Sequence, residues 1–183
     1  MTKEETLRTE VRFVGRVVQV EELAVLLPDG AVGRREIVRH GGGAAIVATD
    51  GTGRVVMVRQ YRKAAEQEML EIPAGKLESG EDPAQCAIRE LREETGYRAN
   101  SARPLTRFYP TPGYCSEILH VFRAEGVLPG ESQPDEGEHV EPLLVDLADC
   151  LAMIRDGRIC DAKTIIGIQM LAGESADARE AVL

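Results

Sequence analysis

The segment from Gly75 to Tyr97, GKLESGEDPAQCAIRELREETGY, constrains this chain more than any other. Local rules make its centre a helix. Asp82 stands at an N-cap position, Pro83 at the first helical position and Gln85 at the third, a capping-box pattern. Gly96 follows as a C-terminal stop. Ala84, Ala87, Ile88 and Leu91 recur at helical spacing and form an apolar face for a core. The other face gathers Glu90, Glu93 and Glu94, at spacings of three and four. Like charges so placed repel by about 0.2–0.5 kcal/mol a pair, and they lie where the helix dipole disfavours anions. Such a cluster calls for a cation. Arg89, four residues before Glu93, can steady that carboxylate and leave Glu90 and Glu94 to a divalent metal, which prefers hard oxygen ligands. The alternative is a solvated, charge-rich surface helix.

The spacing G-x5-E-x7-R-E-L-x-E-E-x-G-Y sets Gly75, Glu81, Arg89, Glu90, Glu93, Glu94 and Gly96 in one frame. It resembles the Nudix box at each of these positions and departs only at Tyr97, where an aliphatic residue is common. The resemblance implies a loop-helix-loop that binds magnesium (or manganese, or another divalent cation) and cleaves a nucleoside diphosphate linked to another group. Val58-Arg59-Gln60-Tyr61-Arg62, Leu70-Glu71-Ile72-Pro73-Ala74-Gly75, Thr111-Pro112-Gly113-Tyr114 and Lys163-Thr164-Ile165-Ile166 resemble the ADP-ribose pyrophosphatase branch in particular. That branch implies hydrolysis of ADP-ribose to AMP and ribose 5-phosphate. Two alternatives stay open: another nucleoside diphosphate derivative (a nucleotide sugar, a dinucleoside polyphosphate or FAD), or a nucleotide-binding module without turnover.

Candidate roles follow residue by residue. Glu90 and Glu94 lead as metal ligands, with Glu93 as a third or water-mediated one and a possible base. The resemblance adds the backbone carbonyl of Ala74. Arg59 and Arg62, at the end of an apolar strand, are candidate phosphate forks. The resemblance places Glu71, Pro112 and Gly113 near substrate, while Gly75 and Glu81 organise the loop. It also puts the base for the attacking water in an acidic loop after the box, here Pro134–His139, with Glu138 favoured over Glu136.

The remaining sequence bounds the reading. The chain has 183 residues, 43% hydrophobic and 29% charged, which suits one soluble domain with a proper core. Cys86, Cys115, Cys150 and Cys160 show no metal-ligand spacing and read as reduced, mostly buried thiols of a cytoplasmic protein. The start lacks a signal-peptide core, and no apolar run approaches a membrane span. A net charge of −9 argues against a nucleic-acid partner. Strand-like runs at Val11–Val20, Leu23–Leu27 and Arg34–Arg39 predict an N-terminal antiparallel piece. Ala44–Ala48 and Val55–Arg59 predict a hairpin about Asp50-Gly51-Thr52-Gly53. Leu70–Pro73, Ala102–Tyr109, Ile118–Glu125 and Val140–Asp146 read as further strands, and Leu147–Arg155 and Ala162–Leu171 as helices. The expected fold is an α/β (α+β) Nudix-type α/β/α sandwich around a mixed central sheet, with the N-terminal antiparallel β piece added. The expected division is 1–39 for dimerisation, 40–173 as the hydrolase domain and 174–183 as a frayed tail. The resemblance implies a homodimer in which the N-terminal strands help to line the partner's adenine pocket.

Overall fold

A computed structural model of the chain describes residues 3–131 and 139–180. Glu5–Val14 (β1), Val18–Leu26 (β2) and Val32–His40 (β3) form an antiparallel sheet in the order β1-β2-β3. The single run expected over Val11–Val20 is broken. Gly15 opens a tight turn whose N–H bonds Val18 O at 2.9 Å, so Val14 and Gln19 face each other across two strands. Of Leu23–Leu27, expected as a separate strand, the first four residues are instead the end of β2. This sheet carries a ladder of ion pairs: Arg12 to Glu10 and Glu22, Arg39 to Glu21, and Arg35 to Glu4. Those charges explain why β1 hides from a pattern search, since Glu5, Arg8, Glu10 and Arg12 obscure its alternation. Phe108–Ile118 belongs to the same compact unit, which runs through Gly42. It is tied to β3 by Val38 N–H to Tyr114 O (2.7 Å) and Ser116 N–H to Val38 O (2.9 Å).

The second unit, Gly43–Arg107 with the chain from Leu119 onward, holds the remaining elements. In order they are Gly43–Val47 (β4), Val55–Arg62 (β5), Gln67–Glu71 (β6), Ala74–Lys76 (β7), Pro83–Thr95 (α1) and Ser101–Phe108 (β8). There follow Leu119–Glu125 (β9), Val140–Val145 (β10), Leu147–Arg155 (α2) and Ala162–Glu180 (α3). The strands form two sheets, β10-β5-β6 and β7-β4-β9-β8. The second is mixed, because β4 runs antiparallel to β7 and parallel to β9.

The hairpin expected between β4 and β5 forms only next to its turn. Asp50 ties the turn, accepting from Thr52 N and Arg54 N at 2.9 Å each, and the bridge Thr49–Val55 with Val56 N–H to Ala48 O (2.9 Å) continues it. The strands then leave for different sheets. β4 is buried along its whole length and apolar on both faces, so it takes a neighbour at each edge and a helix on each side. Ala44 and Ile46 face a cluster with Cys86, Ala87 and Leu91 of α1 and Phe122 of β9. Val47 points the other way, toward α3, where Gly167 comes so close that a Cβ would sit 2.7 Å from Val47 Cγ2. Period-two alternation in one short strand thus produces the helix-sheet-helix layering. Burial of each such Ile, Leu or Val stabilises by roughly 1.5–3 kcal/mol.

Helix α3 continues past Leu171 to Glu180, where a frayed tail was expected from Glu174 onward. Arg103 bonds Glu174 at 2.6 Å and holds that turn. All four cysteines are free; Cys86 and Cys150 are buried, Cys115 is half-buried and Cys160 is exposed. No helix among the described residues is long and apolar enough to cross a membrane.

Candidate active site

The acidic helix is fixed at both ends before any ligand is considered. Asp82 Oδ1 accepts from Ala84 N (2.9 Å) and Gln85 N (3.2 Å), and Gly96 N–H closes the last turn on Arg92 O at 2.8 Å. Leu91, Ala87 and Cys86 anchor the apolar face, so the glutamates point away from the core strand. Burial pushes the Cys86 thiol up to about 12, which leaves it an inert hydrogen-bonding thiol beside Lys76 O.

Arg89 organises the carboxylates. Its Nε and Nη2 fork onto Glu81 at 2.9 and 3.1 Å, while Nη1 reaches Glu90 Oε1 (2.8 Å) and Glu93 Oε2 (2.9 Å). The expectation that Arg89 would serve Glu93 and leave Glu90 aside is therefore corrected. One guanidinium holds both, because residues one and four positions on lie within reach of its fork. The hydrogen bonds of Glu81 raise the pKa of Arg89 further. In return Arg89 pulls Glu81 down to about 2, against the opposing effect of burial. Glu81 also accepts from Glu78 N at 3.0 Å, so it ties the loop ahead of the helix to the helix itself.

Two carboxylates converge on the strand-end pair Ala74-Gly75. Glu94, only 5% exposed, accepts from Ala74 N at 3.1 Å. Glu90 lies against Gly75 so closely that a Cβ there would meet its Oε1 at 1.8 Å and its Cδ at 2.0 Å. Only glycine admits that carboxylate. Among the described residues no group of three or more His, Cys, Asp or Glu side chains stands ready as a metal cage. The cation now among them is Arg89. The donor set nonetheless fits a divalent ion, because hard carboxylate oxygens are brought by α1 to a backbone cradle shaped for one of them.

A second charged cluster lies on β5 and β6. Arg62 donates bidentately to Glu71, with Nε and Nη2 both at 2.7 Å, and Lys163 of α3 binds the same Glu71 Oε2. Lys163 also reaches Asp161 Oδ2 at 2.9 Å. Asp161 caps α3 through Thr164 N (3.0 Å), and Thr164 Oγ1 accepts from Ile72 N at 3.0 Å. Burial would raise the Glu71 carboxyl, but Arg62 and Lys163 outweigh it and hold the group below its ordinary range. Arg59 is on the opposite face of β5, exposed and paired with Glu141 at 3.2 Å, so the structure separates the two candidate forks. Pro112 and Gly113 belong to the N-terminal compact unit. Glu136 and Glu138 lie outside the described residues. Sequence reasoning missed Asp161 and gave Lys163 no role. The signal for Asp161 was present, since Asp at 161 ahead of a helical run is an N-cap pattern.

A family model of the NUDIX domain matches residues 39–165, well over half of the chain. The chain belongs to the Nudix family. This Nudix protein is 44% identical over 171 residues to an ADP-ribose pyrophosphatase of Bacillus subtilis (strain 168), covering 92% of each chain. It is also 44% identical over 176 residues to the methanol dehydrogenase activator of Bacillus methanolicus, covering 95% of each. A crystal structure of an ADP compounds hydrolase shares the fold with a TM-score of 0.84 at 22% identity, over 96% of both chains.

Proposed function

We propose that this Nudix protein hydrolyses the diphosphate of ADP-ribose, adding water across the P–O–P bridge to give AMP and ribose 5-phosphate. The observation that carries the reading is the convergence of Glu90 and Glu94 on the Ala74-Gly75 cradle, with Glu93 and Arg89 beside them. Similarity to an ADP-ribose pyrophosphatase over 92% of the chain supports the substrate. Glu90, Glu93, Glu94 and the Ala74 carbonyl would hold magnesium. When bound, a divalent cation neutralises phosphate oxygens and makes a water more acidic. Arg89 keeps Glu90 and Glu93 in place, and Glu81 keeps Arg89 oriented. Arg62 is the phosphate fork on the β5 face, and Glu138 or Glu136 takes the proton from the attacking water. Pro112 and Gly113 are carried over from the family as substrate-binding residues.

We further propose a homodimer built through the β1–β3 sheet. Phe13, Val14 and Val32 are 56%, 69% and 66% exposed there, and a short sheet needs a surface to pack on. Light scattering of the full chain and of a truncation starting at His40 tests it; a fully active wild-type monomer refutes it.

Magnesium-dependent release of AMP from ADP-ribose, assayed with and without EDTA against a panel of nucleoside diphosphate derivatives, tests the activity. The equal identity to a protein named as an activator favours a second reading, a regulatory module that binds nucleotide without turnover. Absence of turnover on every diphosphate in the panel would select that reading.

A further inference from the structure

Glu71 is the most enclosed acid of the second cluster, 1% exposed, and it has two cations where one would do. Its Oε2 accepts from both Arg62 Nη2 and Lys163 Nζ. The two cations differ in freedom. The Arg62 side chain is 40% exposed, whereas Lys163 is 9% exposed and is also held by Asp161 at 2.9 Å. A buried carboxylate that loses its one partner is strongly destabilising. With Lys163 in place, Glu71 keeps a partner if Arg62 leaves.

The surroundings of Arg62 suggest where it would go. Gln60 stands between Val58 and Arg62 on the same face of β5, by strand alternation. Its Nε2 is buried and, among the described residues, has no hydrogen-bond partner. A buried donor without an acceptor is costly, so this face is short of acceptor oxygens. The Arg62 pKa is raised first by its hydrogen bonds to Glu71, against the opposing effect of burial, and then by the charges of Glu71, Glu94 and Asp161.

We infer that Lys163 is a positioning residue: it holds the charge of Glu71 so that Arg62 can turn from that carboxylate to a diphosphate oxygen. This rests on the diphosphate reading of the preceding section. The hand-off makes and breaks only hydrogen bonds. Lys163 itself touches no substrate.

The test is a set of variants of the full chain, read by ADP-ribose kinetics in magnesium and by calorimetric binding of ADP-ribose and of inorganic pyrophosphate in EDTA. In Lys163→Met, Arg62 becomes the sole partner of Glu71 and is locked. KM and both dissociation constants should rise at least tenfold, with kcat changing less than threefold. Lys163→Arg should restore them. Glu71→Gln combined with Lys163→Met removes the lock and should bring affinity back to within threefold of wild type. Arg62→Met should lose affinity yet melt within a few degrees of wild type, because Lys163 alone still pairs Glu71; this arm stands even if Lys163→Met does not fold. Unchanged affinity in Lys163→Met, no recovery in the double variant, or collapse of Arg62→Met would each overturn the inference. Absence of wild-type ADP-ribose turnover would instead count against the substrate reading, and the pyrophosphate arm would still report on the hand-off.

Discussion

Replacing Gly75 by alanine should separate the site from the fold. The added Cβ would lie 1.8 Å from Glu90 Oε1, so the oxygen must retreat by roughly 1.5 Å to regain ordinary contact distance. Overpacking a rigid core costs about 1–3 kcal/mol, but what yields here is the tip of a flexible side chain, which puts the cost near the lower end. Loss of the Glu90–Arg89 contact, a partly exposed pair, adds about 0.2–1 kcal/mol. The sum, about 1–2 kcal/mol, lowers Tm by roughly 2–8 °C for a chain of this size. Catalysis should suffer far more, because a misplacement of about 1 Å near the reacting atoms is worth roughly 100-fold. Scanning calorimetry gives the first quantity; kcat/KM against magnesium concentration gives the second. Gly75→Ala with wild-type kcat/KM would refute the placement of Glu90 at the working face. A loss of activity that merely tracks a loss of folded protein would refute the separation.

Glu94→Gln should fold normally, since the amide oxygen can still accept from Ala74 N, while turnover of ADP-ribose falls by at least about 100-fold; near wild-type turnover would remove Glu94 from the ligand set. Glu81→Gln should flatten the acid limb of stability. The native Glu81 carboxyl is depressed to about 2, so its contribution is complete above the ordinary value of 4.5 and is lost as pH falls toward 2. Urea unfolding at stepped pH should therefore show a gap between wild type and variant that closes over that window; a pH-independent gap would contradict it. Asp82→Ala removes the acceptor for two helix N–H groups and should cost about 1–2 kcal/mol with little change in KM, measured by denaturant midpoint and steady-state kinetics.

The acidic helix was almost fully legible because its boundaries, caps and charged face are all local properties, set between Asp82 and Gly96. The family and the layering were likewise within reach of the sequence. The hairpin about Asp50 extends less far than expected because turn chemistry fixes only four or five residues, whereas the partners of β4 are set by its two apolar faces. β1 was partly missed because its stability lies in cross-strand ion pairs, which look like a loop when read along one strand. The Glu71 cluster was out of reach for another reason. Its members come from β5, β6 and the start of α3, and nothing in the sequence says that Lys163 returns to the carboxylate at 71. Glu90 posed the subtler problem: its pressure on Gly75 is a contact between strand β7 and the helix that spacing alone does not reveal.

The parallel pairing of β4 with β9 bears on how the molecule is made. Val47 and its strand partner Arg123 are 76 residues apart, and the acidic helix docks on the very strand that waits for that partner. At a synthesis rate of about 5–20 residues per second, β4 leaves the ribosome on the order of 4–15 seconds before the strand that completes its sheet. Throughout that interval an apolar strand buried in the finished molecule has an open edge, a template for pairing with other nascent chains. Chains cut before Leu119 should therefore aggregate.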